Sequence, residues 1–224
     1  MYNLYLIRHG ESIQNTHENV DNLPDHAIPL SENGIKQAVA AGVFLKNFFA
    51  QHKIKKFRVW ESPYLRTRQT AEKILECQTG KYDVRSDTML AEMQFGLFHN
   101  LSKDEIGLVY PDEWKTYQNE RKFHGKFFAR RPNGESPFDV SIRQKLFLET
   151  LYRDFRNGKC PEHIMIVGHG AALNVLRMCI FHYSYEWYNT VENPGNCSVQ
   201  HIVLDPNQSK NYDLGYIYGE AIAD

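Results

Sequence analysis

Two histidines close two apolar runs in this 224-residue chain. The first run is Leu4-Tyr5-Leu6-Ile7-Arg8-His9-Gly10-Glu11-Ser12, with Asn15 one turn further on; the second is Ile164-Met165-Ile166-Val167-Gly168-His169-Gly170. Each reads as a buried strand that opens into a loop and a helix. In an α/β sheet, the crevice beyond the carboxyl ends of such strands is where ligands bind. The residue types suit a phosphate. Arg8 and Arg66 offer rigid forks that match its oxygens. Gly10 and Gly170 let backbone donors approach an anion with no Cβ in the way, and the helices that follow add amide donors and positive end-charge. His9 and His169, which are not spaced as a metal chelate, can then serve as nucleophile and electrostatic partner. Glu92, within Leu90-Ala91-Glu92-Met93-Gln94-Phe95-Gly96, is the acid placed to act as proton donor. Each residue alone has a plainer role. A histidine can sit in a tight turn, Arg66 on a helix face, Glu92 or Asn15 at a cap. Agreement among all of them favours the site.

The elements that must position these groups alternate. Residues 2–7 form a first strand, central because it is apolar almost throughout. A helix or helical turn runs from Glu11 to about Glu18, and a loop from Asp21 to His26. Leu30-Ser31-Glu32 opens a helix, with Ser31 as cap and Leu30 as staple, and Ala38, Gly42, Leu45 and Phe49 make its buried face. Phe57–Glu61 is the next strand. Pro63 suits the first turn of the helix that carries Arg66, Thr70 and Ala71. Asp83-Val84-Arg85 makes a short third strand. Residues 100–137 break the alternation: a capping box at Ser102–Glu105 starts a brief helix that Pro111 stops, a second helical piece spans 112–122, and aromatic and basic residues follow. Ser136 or Asp139 starts a long helix that Gly158 closes. Strand 163–167, a helix from Ala171 to about Phe181, strand 198–204, a turn at Asn207 and an edge strand at 212–218 complete the chain. The expected fold is α/β: a three-layer α/β/α sandwich around a mostly parallel sheet, one domain over 1–224 with a cap inserted at about 100–137.

Composition narrows the partners. With 26 basic and 27 acidic residues the net charge is −1, which steers neither nucleic acid nor a membrane surface. No apolar stretch is long enough to span a bilayer, and the first residues lack the parts of an export signal, so a cytoplasmic location is expected. Cys77, Cys160, Cys179 and Cys197 are too scattered for a zinc or redox motif and read as reduced, mostly buried thiols. No metal and no cofactor is expected.

Arg8-His9-Gly10 with Asn15, Ser62-Pro63-Tyr64-Leu65-Arg66-Thr67 with Thr70-Ala71, Glu92, and Gly168-His169-Gly170 together resemble the histidine phosphatase superfamily, in the branch of phosphoglycerate mutases and fructose-2,6-bisphosphatases. The likeness covers almost the whole chain, in the family's order and spacing. It implies that His9 takes the phosphoryl group as a phosphohistidine, that Arg8, Arg66 and His169 bind its oxygens with Asn15 assisting, and that Glu92 protonates the leaving alkoxide and then deprotonates water. Pro24–Leu30 and Arg131-Pro132-Asn133-Gly134-Glu135-Ser136 are similar to phosphoglycerate mutase-like proteins, which makes His26, Glu135 and Ser136 candidates for the cavity mouth. For Glu135 and Ser136 a capped helix start is the competing account.

True cofactor-dependent mutases follow their acid with paired arginines that hold a bisphosphate. Here Met93-Gln94-Phe95 follow Glu92, which removes that charge. The expected function is therefore metal-free hydrolysis of a small phosphorylated metabolite. A phosphoglycerate mutase or other phosphotransferase is the alternative, and an inactive phospholigand-binding protein a further one. Phe95, Phe98, Tyr110, Trp114, Phe127 and Phe128 can line a pocket or anchor the cap, and cap cations such as Lys103, Arg130 and Arg131 can replace the missing charge. Relatives of this kind occur as monomers, dimers and tetramers, which leaves a homodimer open.

Overall fold

A strand that is apolar on both faces needs a layer of helices on each side, and the chain supplies them in alternation. The computed structural model describes residues 1–16, 23–205 and 210–222. It begins with β1 (Tyr2–Arg8), α1 (Glu32–Gln51), β2 (Lys56–Glu61), α2 (Leu65–Glu76) and β3 (Lys81–Ser86). Then come α3 (Lys103–Val109), α4 (Pro111–His124), α5 (Pro137–Arg156), β4 (His163–Gly168), α6 (Gly170–Phe181) and α7 (Tyr185–Thr190). β5 (Asn193–Pro194), β6 (Val199–Leu204), β7 (Tyr212–Tyr218) and β8 (Ala221–Ile222) complete it. The main sheet has the order β3-β2-β4-β1-β6-β7. β1, β2, β3 and β4 run parallel, and β6 and β7 add an antiparallel side. This is the expected three-layer sandwich, with β1 and β4 at its centre.

The period-2 alternation of a strand builds both cores. Tyr5, Ile7, Met165, Val167 and Val59 face α1 and α2, where Ala38, Ala41, Leu45 and Ile74 meet them. Leu4, Leu6, Ile164, Ile166 and Trp60 face the other way, onto Phe147, Leu151 and Phe155 of α5 and Leu173 and Leu176 of α6. Leu4, Ile7, Ile164 and Ile166 have no solvent exposure; burial of such a side chain contributes about 1.5–3 kcal/mol. The strands that carry the two histidines are thus among the best anchored. Their register pairs Arg8 with Gly168, so His9 and His169 leave the sheet side by side.

Several element boundaries follow the caps. Ser31 accepts a hydrogen bond from Gly34 N at the start of α1, and Ser136 with Asp139 forms a capping box on α5, with Pro137 in its first turn. Two expectations about proline need correction. α2 begins at Leu65 with Tyr64 as its N-cap, so Pro63 lies just outside the helix. The amides of Thr67 and Arg68 bond the Tyr64 carbonyl, which fixes that start. Pro111 does not merely stop α3; it is the first residue of α4, where a missing N–H costs nothing. Asn15 closes a turn on Ser12. The expected turn at Asn207, the expected loop at Asp21 and Asn22, and the end of the expected segment from Glu11 to Glu18 lie outside the described residues.

The cap has its own small core. Phe98 and Ile106 pack with Tyr117 and Ala129, and Trp114 and Tyr110 border them. At the neck the chain leaves and returns side by side: Leu97 N donates to Pro132 O at 3.0 Å, and Glu135 N to Gln94 O at 2.8 Å. Gly96 at this crossing has φ +57, and a Cβ there would run into the Pro132 carbonyl, so both the backbone angle and the space require glycine. The four thiols are free, but only Cys197 is fully buried; the other three are half-buried.

Candidate active site

The site is built on the carboxyl ends of β1, β2 and β4. His9 follows β1 directly and is 5% exposed. Its Nδ1 lies 2.7 Å from the carbonyl of Gly10. A carbonyl can only accept, so Nδ1 carries the proton and the Nε2 lone pair is free. The backbone is held just as firmly: His9 N donates to Gly168 O at 2.9 Å, and Asn196 Nδ2 donates to His9 O at 3.0 Å. Gly10 corrects an expectation. Its amide donates to Thr70 Oγ1 at 3.0 Å, so it is not available to an anion. Glycine is needed there because a Cβ would sit 2.5 Å from the Gly34 carbonyl, where the loop crosses α1.

His169 is fully buried beside it, the ring centroids 5.2 Å apart. Tyr64 makes an edge contact with the other side of His169 at 5.0 Å. His169 Nε2 lies 2.8 Å from the Ser62 hydroxyl. Its Nδ1 is buried with no hydrogen-bond partner among the described residues. Gly170 opens α6, and a side chain there would begin 3.1 Å from Asn193 Oδ1 and 3.6 Å from Arg8 Nε. The tight contact is with Asn193, while the distance to Arg8 is an ordinary one.

Each arginine is oriented by one edge of its guanidinium. Arg8 Nη1 donates to Pro194 O at 2.7 Å, a carbonyl supplied by the short β5–β8 ladder. Arg66 is 3% exposed, and its Nη1 donates to Asp25 O at 2.7 Å and Asp25 Oδ1 at 2.8 Å. The two arginines act on both histidines and on Glu92. His9 is held well below the ordinary histidine range by burial first, then by Arg66 and Arg8, against the Gly10 bond. His169 is lowered in the same direction by burial, Arg66, His9, Arg143 and Arg8. Both rings are therefore neutral at pH 7.

Glu92 shows the opposite tendency. Burial raises it, outweighing the Met93 amide and the charges of Arg66, Arg8 and Arg143. Its Oε1 accepts from Met93 N at 2.8 Å and from Ala172 N, in the first turn of α6, at 3.3 Å. Those bonds fall on one oxygen and leave Oε2 to carry a proton. A neutral imidazole, two fixed guanidinium groups, a helix N-terminus and a raised carboxyl can together attack, hold and protonate a phosphate ester.

The other candidates stand further out. Asn15 is exposed, and its Oδ1 accepts from Ser12 N and Ser12 Oγ, both at 3.0 Å. His26 is exposed on the 3-10 turn Asp25–Ala27 that holds Arg66. The Ser136 hydroxyl is engaged in the capping box of α5. Glu135 takes no part in that box; it pairs with Arg143 and accepts from Gln94 N. Of the cap rings, Phe98, Trp114 and Tyr110 serve the cap core, whereas Phe127 packs with Met93, Ala172 and Tyr188 beside the site. Arg131 lies 4.4 Å above the Phe95 ring, with Nη1 3.3 Å from Met93 Sδ, and brings positive charge to the loop after Glu92. The sequence reading did not assign roles to Ser62, Thr70, Asp25 or Arg143. Ser62 and Thr70 stood inside a recognised motif, whereas Glu135 precedes α5 and Arg143 lies within it, so helical spacing does not announce their pairing. Among the described residues, no group of three or more His, Cys, Asp or Glu side chains is arranged to hold a metal, and no helix is long and apolar enough to cross a membrane.

This fold and site define a class. The chain matches the histidine phosphatase superfamily, branch 1, over residues 4–214. It belongs to that superfamily, among its phosphoglycerate mutase-like phosphatases. It is 31% identical over 229 residues to phosphoglycerate mutase-like protein AT74 of Arabidopsis thaliana, covering 97% of this chain and 69% of that protein. It is 26% identical to the broad-range acid phosphatase DET1 of Saccharomyces cerevisiae, covering 90% and 85%. Among solved structures, the alpha-ribazole phosphatase of Shigella flexneri superposes with a TM-score of 0.76 at 21% identity, covering 99% of both chains.

Proposed function

We propose that the protein hydrolyses a small phosphomonoester, without a metal, in two displacements through a phosphohistidine on His9. The observation that carries this reading is the Nδ1–H bond of His9 to its own loop carbonyl, which leaves Nε2 unprotonated. In the first displacement, Nε2 attacks phosphorus and the ester oxygen leaves with the proton of Glu92. Arg8, Arg66 and His169 stabilise the equatorial oxygens. In the second, water attacks phosphorus, Glu92 takes its proton, the P–N bond breaks and inorganic phosphate departs. His9 and Glu92 return to their starting states.

The relation to an acid phosphatase of broad range supports a small, variable alcohol portion. Phe95, Phe127 and Arg131, which gather around Met93 beside the acid loop, support one with apolar and anionic parts. The test is phosphate release in a chelator-treated assay, from p-nitrophenyl phosphate through sugar phosphates and phosphoglycerates to nucleotides, with His9→Ala alongside. Release that vanishes in His9→Ala, with acid-labile labelling of the native protein alone, is the expected result. Near-native turnover in His9→Ala removes the nucleophile assignment. Bisphosphate-dependent interconversion of phosphoglycerates without phosphate release selects the mutase reading instead.

A further inference from the structure

Glu92 sits in a segment with little regular structure of its own, between the 3-10 turn Thr88–Leu90 and the cap neck. Its geometry is set from α5. Arg143 donates to three backbone carbonyls there: Nη1 to Met89 O at 2.6 Å and to Ala91 O at 2.7 Å, and Nη2 to Glu92 O at 3.2 Å. The rest of the fork grips Glu135, Nε to Oε1 and Nη2 to Oε2, both at 3.0 Å. Glu135 in turn accepts from Gln94 N at 3.0 Å through Oε2, and its own amide donates to Gln94 O at 2.8 Å. Gln144, next on α5, adds a bond from Nε2 to Met89 O at 3.0 Å. The loop is thus held on both sides of Glu92 by one ion pair.

The chemistry of that pair fits positioning rather than ligand binding. Five donor–acceptor contacts from one guanidinium need a planar fork; an ammonium cannot make them together. Arg143 and Glu135 are both mostly shielded from solvent, with side-chain exposures of 15% and 20%. Their polar atoms are spent on each other and on backbone, which leaves no fork for a substrate phosphate.

We infer that Arg143 and Glu135 form a clamp that fixes the Glu92 carboxyl over the leaving-group oxygen, and so are positioning residues for proton transfer. The inference rests on Glu92 as the acid of the proposed reaction. Loss of the clamp leaves phosphate binding and the nucleophile in place and displaces the acid. A misplacement of about 1 Å at a reacting group costs up to about a hundredfold in rate.

The experiment is a comparison of an alkyl phosphate with p-nitrophenyl phosphate in Arg143→Lys and Glu135→Gln, each alone and combined with Glu92→Gln. The rate compared is that of the first displacement, read as single-turnover phosphorylation of His9, because both esters share the second. Expected for Arg143→Lys is a loss of about ten- to hundredfold in that rate on the alkyl ester. The aryl ester, which needs little proton donation, is expected to lose less than about threefold, with KM of both nearly unchanged. In the Glu92→Gln background the same substitution is expected to change the alkyl rate by less than about twofold, because the group it positions is gone. Equal losses on both esters, or losses that multiply in the Glu92→Gln background, overturn the inference and leave the pair a purely structural one. If Glu92→Gln alone slows His9 phosphorylation by both esters equally, the acid assignment has failed before the clamp is touched, and the clamp's role falls with it. Should Arg143→Lys not fold, Glu135→Gln, which keeps the side chain's shape, carries the same comparison.

Discussion

Ser62→Ala tests whether the second histidine works through a defined tautomer. Ser62 Oγ lies 2.8 Å from His169 Nε2, and both residues have no solvent exposure. If Nδ1 of His169 is to donate to a phosphoryl oxygen, Nε2 must accept, and the serine hydroxyl is the group that donates to it. Removing the hydroxyl leaves a buried imidazole nitrogen without its partner, a cost of about 1–3 kcal/mol. It also frees the ring to place its proton on Nε2 and turn a lone pair toward the phosphate. Spent in the transition state, that energy is a loss of roughly five- to 150-fold in the rate of phosphorylating His9. The loss should be equal for alkyl and aryl esters, since it concerns the transferring group and not the leaving one. Rapid-quench measurement of phosphohistidine formation reads the rate, and 15N spectra of labelled histidine read the tautomer. Phosphorylation within twofold of native, or an unchanged His169 tautomer in Ser62→Ala, refutes the reasoning.

Four further outcomes follow from the same geometry. Turnover of alkyl phosphates should fall as pH rises through the raised Glu92 value and as pH falls through the depressed His9 value. Glu92→Gln should abolish the upper limb, and persistence of that limb in a pH–rate profile contradicts the acid role. His9 and His169 are lowered on folding; the unfolded chain then binds more protons, so stability should be lost as pH falls below about 6.5, the unfolded histidine value, as chemical denaturation at pH 7 and pH 5 will show. Arg58→Met should cost about 3–5 kcal/mol in urea unfolding, because Arg58 is 4% exposed and pairs with Asp83 and Asp154, each at 2.7 Å. The lower end is expected since Arg85 stays 3.0 Å from Asp154, and a loss below 1 kcal/mol contradicts the buried pair. Gly34→Ala should cost about 1–3 kcal/mol and reduce activity as well, because a Cβ there would strike the Glu11 carbonyl and push on the loop that holds His9; unchanged melting and turnover would show that the crossing is loose.

The central sheet was legible because its signals are local. Unbroken apolar runs at Leu4–Ile7 and Ile164–Val167 permit only a doubly covered strand, and Ser31, Ser102 and Ser136 mark helix starts through their own backbone. The antiparallel attachment of β6 beside β1 was not legible, since pairing partners at long range leave no trace in either strand alone. Asp25 and Arg143 were missed for a related reason: an ion pair is a property of two residues, and neither partner's neighbours announce it. Gly10 is the opposite case. The residue type was informative and the reason assigned to it was wrong, because the close approach it permits is to Gly34 rather than to an anion. Glu135 and Ser136 divided between two readings in sequence, and the hydrogen bonds of the capping box and the Arg143 pair occupy them both.

The position of β1 also bears on how the chain reaches its folded state. Its neighbours in the sheet are β4 and β6, which arrive late: Tyr5 meets His163 across 158 residues of sequence. On a ribosome that adds about 5–20 residues per second, the first strand waits on the order of ten to thirty seconds for its partners. Throughout that interval its apolar faces and both of its edges are open, the state in which strands pair with the wrong chain. Changes in Leu4–Ile7 therefore bear on yield during synthesis as well as on stability afterwards, and a chain cut short before β4 has the β2–β3 pair alone and no partner for its first histidine.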